Sequence, residues 1–140
     1  MPRPITPLLA ADCVIELEAH PGRVLLIERA NPPFGLALPG GFVDVGESVE
    51  DAARREALEE TSLTVTLVAL LGIYSEPSRD PRGHTASVVY VARSSGEPIA
   101  ADDAAAVRLV DPRDRNLALA FDHRLVLDDY LAWSGQCHAP

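Results

Sequence analysis

Three glutamates, Glu56, Glu59 and Glu60, stand three and four residues apart in a run of strong helix formers. On a helix that spacing puts all three carboxylates on one side, within a single turn. Like charges so placed repel by roughly 0.2–0.5 kcal/mol per pair even on an exposed helix. The pattern asks for a neutralising cation, and oxygen-only donors at this density suit a hard divalent ion, Mg²⁺ or Mn²⁺. The competing reading is a solvated acidic face. Against it stand a glycine pair upstream (Gly40 and Gly41), a lone Glu47 and Arg55 at the head of the cluster.

These residues need a scaffold to hold them. Ser48 is a good N-cap, and Asp51 three residues on can mimic a capping box. Glu50 and Asp51 lie in the first turn, where they favour the helix dipole. The helix is expected from Val49 to about Thr61, with Val49, Ala52, Ala53, Ala57 and Leu58 as its apolar stripe. Gly40-Gly41 reads as a turn where backbone can come close to a ligand. Strands are expected over 8–19, 23–29, 63–74, 85–93 and 107–110, with a short extended piece over 34–38. Residues 75–83 are a loop with two prolines and a glycine. A second helix is expected over 121–133, with Asp122 as N-cap. Runs of strands with two helices suggest an α+β or α/β sandwich.

Composition narrows the setting. At 140 residues, 47% of them hydrophobic, the chain is expected to be a single globular domain spanning 1–140. A net charge of −9 disfavours a nucleic-acid binder, but permits a small phosphate substrate that brings a metal and meets a few arginines. No apolar run approaches the roughly 18 residues of a membrane span, and no signal peptide is read. Cys13 and Cys137 match no metal spacing, and Cys13 reads as a buried thiol. The cytoplasm is the expected compartment. His20 and His138 read as surface residues, and His123 as a helix-start residue with a polar partner.

Residues 41–63 match the pattern G-x5-E-x7-R-E-U-x-E-E-x-G-U, where U is a bulky aliphatic, with Gly41, Glu47, Arg55-Glu56, Glu59-Glu60 and Leu63 in register. On this the chain resembles the Nudix hydrolase family. Two positions depart from the pattern: Ala57 is small for an aliphatic site, and Ser62 replaces the final glycine. A serine there takes either a left-handed turn at a cost of roughly 1 kcal/mol or another exit. The segment 72–92 and LPGGFVDVGES resemble the ADP-ribose pyrophosphatase group within the family.

The resemblance implies an α/β/α sandwich, with a mixed sheet between the helix of the 41–63 motif and a C-terminal helix. It implies Mg²⁺ (or Mn²⁺) held by Glu56, Glu59 and Glu60 with the Gly40 carbonyl, and Glu47 ion-paired to Arg55 as an orienting residue. The reaction implied is hydrolysis of a diphosphate linking a nucleoside to another moiety, with ADP-ribose giving AMP and ribose 5-phosphate as first choice. The general base is expected to be Glu59 or Glu56, or else Asp102 or Asp103 from a later loop. Arg29, Arg79, Arg82 and His84 are candidates to hold a phosphate or ribose; their alternative is a surface turn with solvated arginines. Phe34 and Tyr74 are candidates to stack on the base. Other nucleotide sugars, dinucleoside polyphosphates and nucleoside triphosphates stay open as substrates, as does a non-catalytic ADP-ribose sensor. A homodimer is also implied by resemblance.

Overall fold

The computed structural model describes residues 2–99 and 104–137. In chain order it contains β1 (Leu8–Leu17), β2 (Val24–Arg29), β3 (Leu36–Ala37), β4 (Gly40–Phe42), α1 (Val49–Thr61), β5 (Thr66–Tyr74), β6 (Thr85–Ser94), β7 (Ala104–Val110) and α2 (His123–Cys137). The strands form one mixed sheet in the order β3-β2-β1-β6-β5, with β4 on β1 and β7 on β2. The β1–β6 pair is parallel, and the remaining pairs are antiparallel.

A helix covers each face of the sheet. Ala11, Cys13, Ile15 and Leu17 of β1 pack with Ala52, Ala53 and Ala57 of α1. Val14 of β1, with Val24 and Leu26 of β2, packs with Val126, Leu127 and Tyr130 of α2. A strand buried on both faces needs apolar side chains pointing both ways, so β1 shows only partial alternation. Cys13 is buried, as its setting suggested. Among the described residues no helix is long and apolar enough to cross a membrane.

The expected sandwich of mixed sheet and two helices is the observed one, with several corrections. Gly40-Gly41 is strand β4, paired with Ala11 and Asp12 of β1, and not a turn. Gly40 stands so close to β1 that any side chain would collide with it; side-chain propensity alone misreads such a position. Leu58 leaves the apolar stripe and is 52% exposed. The β5 strand starts at Thr66, after buried Leu63 and Val65. The β7 strand starts at Ala104 and not Val107, because its alanines carry little strand signal and pair with β2 regardless.

Candidate active site

The helix that presents the carboxylates is fixed at both ends. Ser48 caps it, its Oγ accepting from the Asp51 N–H at 3.1 Å. Asp51 does not complete a capping box; its carboxylate accepts from Arg54 at 3.0 Å. At the other end Ser62 adopts the left-handed conformation (φ 62°, ψ 18°) and its N–H donates to Leu58 at 2.9 Å. The serine thus keeps the exit a glycine would give, at a backbone cost of about 1 kcal/mol. The acid cluster stays in register with β4.

Arg55 is the hub of the site. Its Nε and Nη2 donate to the two oxygens of Glu47 at 2.7 and 2.9 Å, a bidentate pair across the motif loop. Its Nη1 donates to Glu56 at 2.9 Å and Glu59 at 3.2 Å, and Nη2 also donates to the Phe42 carbonyl at 3.1 Å. Hydrogen bonds from Arg55 hold the Glu47 carboxyl below its ordinary range. Glu56 moves up, because burial outweighs the same guanidinium. Glu60 is placed differently: its Oε1 accepts from the Gly40 N–H at 2.8 Å, which ties the helix to β4.

The β4 glycines let helix and strand meet. A Cβ on Gly41 would stand 2.6 Å from the Glu56 carboxylate. Glu56, Glu59 and Glu60 offer only oxygen donors, and the missing Cβ of Gly41 makes room for the Glu56 carboxylate beside β4. Among the described residues no three His, Cys, Asp or Glu side chains are gathered as a finished cage. In this arrangement Arg55 engages Glu56 and Glu59, and a glycine amide engages Glu60. The donor chemistry fits a hard cation: Arg55 takes one oxygen each of Glu56 and Glu59, so their second oxygens can turn to the ion while Arg55 keeps its hold.

Above the glycines lies a pocket of about 220 Å³, bordered by Asp12, Arg29, Gly40, Gly41, Phe42, Glu56, Arg79, Asp80, Arg82, Phe121 and His123 among others. Asp12 is a buried carboxylate on β1 that accepts from the Ser87 hydroxyl on β6. Burial pushes it up to about 6. Arg82 is clamped by Asp80 at 3.1 and 2.9 Å. Arg29 donates to the Pro33 carbonyl at 2.6 Å, and burial followed by the nearby Arg82 lowers it.

The sequence-derived candidates divide. Glu56, Gly40, Arg29, Arg79 and Arg82 border the pocket. Arg79 is there as an anchor and not as a loose phosphate ligand: it donates to Asp122 at 3.0 and 2.7 Å, with only 4% of its side chain exposed. Asp122 holds the N-cap position of α2, its carbonyl accepting from the Val126 N–H at 3.2 Å, but its carboxylate is spent on Arg79 and not on the helix amides. His84 stands outside the pocket, its Nε2 3.0 Å from the Ser75 carbonyl. Phe34 is 69% exposed and also outside; Phe42 and Phe121 are the phenyl rings at the pocket. Tyr74 is buried, its hydroxyl donating to Asp129 at 2.8 Å, so it offers no stacking face. Asp102 and Asp103 lie outside the described residues. Asp12, Phe42 and Phe121 were missed by sequence reasoning. Only Asp12 left a signal, as a carboxylate in the middle of an apolar strand.

His123 has the polar partner expected of it: the Leu38 N–H donates to its Nδ1 at 3.1 Å, so the ring must be neutral. Burial, followed by the Arg79 charge, pushes it down to about 3 from an ordinary 6.5. Between those values the unfolded chain binds more protons than the folded one. The stabilisation is therefore complete above pH 6.5 and is lost as pH falls toward 3. Relative to His123→Gln, the natural protein is expected to lose about 1.4 kcal/mol per pH unit across that window. Urea denaturation of both at pH 7, 5 and 4 measures this. A difference that does not change with pH contradicts it.

The sequence profile of the NUDIX domain matches residues 6–133. An ADP-ribose pyrophosphatase of Methanocaldococcus jannaschii is 47% identical over 131 residues, covering 91% of this chain and 75% of that protein. Among solved structures, the NUDIX domain of Shewanella oneidensis NrtR complexed with ADP ribose aligns with a TM-score of 0.81 at 30% identity, over 93% of this chain and 90% of that one. A bifunctional NMN adenylyltransferase/ADP ribose pyrophosphatase from Francisella tularensis, complexed with AMP and a Mn ion, aligns with a TM-score of 0.79 at 26% identity. That alignment covers 93% of this chain but only 42% of the bifunctional protein.

Proposed function

The chain belongs to the Nudix family of pyrophosphohydrolases, and from that membership we propose that it hydrolyses the diphosphate of ADP-ribose to AMP and ribose 5-phosphate. The observation that carries the substrate is the 47% identity to an ADP-ribose pyrophosphatase over 91% of the chain. The ADP ribose bound to the NrtR domain supports the same ligand.

Nudix enzymes use divalent metals, and we assign Mg²⁺ here to Glu56, Glu59 and Glu60 with the Gly40 carbonyl. A bound divalent ion supplies neutralisation of phosphate charge and acidification of a bound water. The chain's own residues do the rest. Glu47 fixes Arg55, and Arg55 fixes Glu56 and Glu59, so the acids are oriented before substrate arrives. Glu60 is oriented separately by the Gly40 amide. Arg29 and Arg82 offer cations to the phosphates, and Arg79 fastens the 75–84 loop to the start of α2. A water oxygen bonds to phosphorus as the bridging P–O bond breaks, and Glu56 or Glu59 accepts the proton released. Positioning and electrostatics supply most of the rate in such displacements.

Product analysis tests the reaction. ADP-ribose incubated with the chain and Mg²⁺ is expected to give AMP and ribose 5-phosphate in equal amounts, and chelation of the metal is expected to stop both. ADP as a product, or tight binding without any product, contradicts hydrolysis of the diphosphate; the latter outcome makes the chain a sensor.

The orienting role of Arg55 has its own test. Arg55→Lys keeps the charge but cannot span Glu47, Glu56 and Glu59 together. Support of ligands from behind is typically worth about 10–100-fold, so kcat/KM is expected to fall by that factor. An unchanged kcat/KM removes Arg55 from the machinery.

A further inference from the structure

Phe121 and Ser62 are the two non-glycine residues held at positive φ among the described residues, and Phe121 is the bulky one, at φ 56°. Ser62 closes a helix. Phe121 stands in the turn before α2, in a conformation costly for a large side chain, which persists only where the surroundings impose it. Its ring borders the pocket. The guanidinium carbons of Arg29 and Arg82 lie 4.9 and 5.3 Å from the ring centroid, and Arg82 lies 5.5 Å from the centre of Phe42. Separate parts of the chain thus meet on one ring: the end of β2, the 75–84 loop and the turn before α2.

Two guanidinium groups against one ring repel each other. Asp80 neutralises Arg82. No carboxylate stands within ion-pair distance of Arg29 among the described residues, and its hydrogen bonds run to the carbonyls of Pro33 and Pro32 at 2.6 and 3.5 Å. A guanidinium stacked on an aromatic face keeps its in-plane N–H groups free for oxyanions. We propose that Phe121 is a positioning residue that holds Arg29 and Arg82 side by side as a clamp for a phosphoryl group of the substrate. The identity of that ligand rests on the diphosphate reading above; the clamp itself rests on the geometry of the three side chains.

Calorimetric titration of the full chain with inorganic pyrophosphate, without divalent metal, reads the clamp and needs no turnover. Phe121→Tyr keeps the ring and is expected to bind like the natural protein. Phe121→Asn accepts the left-handed backbone but has no ring. It is expected to bind about 30-fold more weakly, the scale of one desolvated cation–π contact. In the Arg29→Gln background Phe121→Asn is expected to cost less than it does alone, because Phe121 acts through the arginines and only Arg82 is then left for it to position. Phe121→Leu is a second ringless variant, and melting temperatures confirm that each variant is folded. Undiminished binding by both ringless variants, fully additive losses, or no binding by the natural protein overturns the clamp. Failure to hydrolyse ADP-ribose alongside intact, ring-dependent pyrophosphate binding overturns the proposed reaction instead.

Discussion

Glu59→Gln and Glu60→Gln are each expected to lower kcat/KM for ADP-ribose by at least about 1,000-fold, since a metal's charge stabilisation is worth several kcal/mol and each 1.4 kcal/mol is tenfold. Both changes leave the fold its contacts. The Glu60 oxygen that accepts from the Gly40 amide at 2.8 Å has an equivalent in the glutamine carbonyl. Glu59 meets Arg55 at 3.2 Å from a side chain that is 56% exposed, so neutralising it costs little stability. Removing one of several crowded like charges even relieves about 0.2–0.5 kcal/mol of repulsion per pair. The melting temperature is therefore expected to hold or rise slightly while activity and Mn²⁺ affinity collapse together. Full activity in both variants would sink the assignment of these carboxylates to the metal.

Gly40→Ala is expected to destabilise the fold by about 3 kcal/mol or more, the upper range for forcing atoms into a packed site. The new Cβ would lie 1.9 Å from the Asp12 carboxylate, 2.4 Å from the Ala11 carbonyl oxygen and 2.7 Å from the Asp12 Cα. Two of these atoms are β1 backbone, so no side-chain rotation relieves the clash. β4 must part from β1, and the Gly40 amide that holds Glu60 moves with it. Gly135 in α2 is the control: a Cβ there meets nothing within 4 Å, and alanine in a helix is favoured over glycine. Gly135→Ala is expected to gain about 0.5–1 kcal/mol. Urea denaturation midpoints of the two variants measure the contrast. Equal midpoints contradict the close approach of β4 to β1.

The contrast between these glycines shows what a sequence displays and what it hides. The acidic helix was legible because cap, propensity and carboxylate spacing are all local, and they agree. The two-faced sheet was legible from its apolar strands. Gly40 was read as a turn because its reason for being glycine, the β1 backbone beside it, is 28 positions away in the chain. Arg79 and Asp122 each carried a sensible local reading, as phosphate ligand and as helix cap. Their 2.7 Å pairing across the fold takes up both side chains instead. Phe34 reads as a loop aromatic and Phe121 as the first apolar residue of the second helix; the helix starts only at His123, and the fold sets Phe121 against two arginines and leaves Phe34 in solvent. Local physics thus made the acidic helix and its cap readable, while the arginine side of the pocket depends on contacts between distant segments.

A panel of ADP-ribose, other nucleotide sugars, dinucleoside polyphosphates and nucleoside triphosphates tests the central claim most directly. Each is incubated with the chain and Mg²⁺, with released phosphate read after phosphatase coupling. ADP-ribose is expected to show the highest kcat/KM of the panel. ADP-ribose turned over no faster than the nucleoside triphosphates would contradict it.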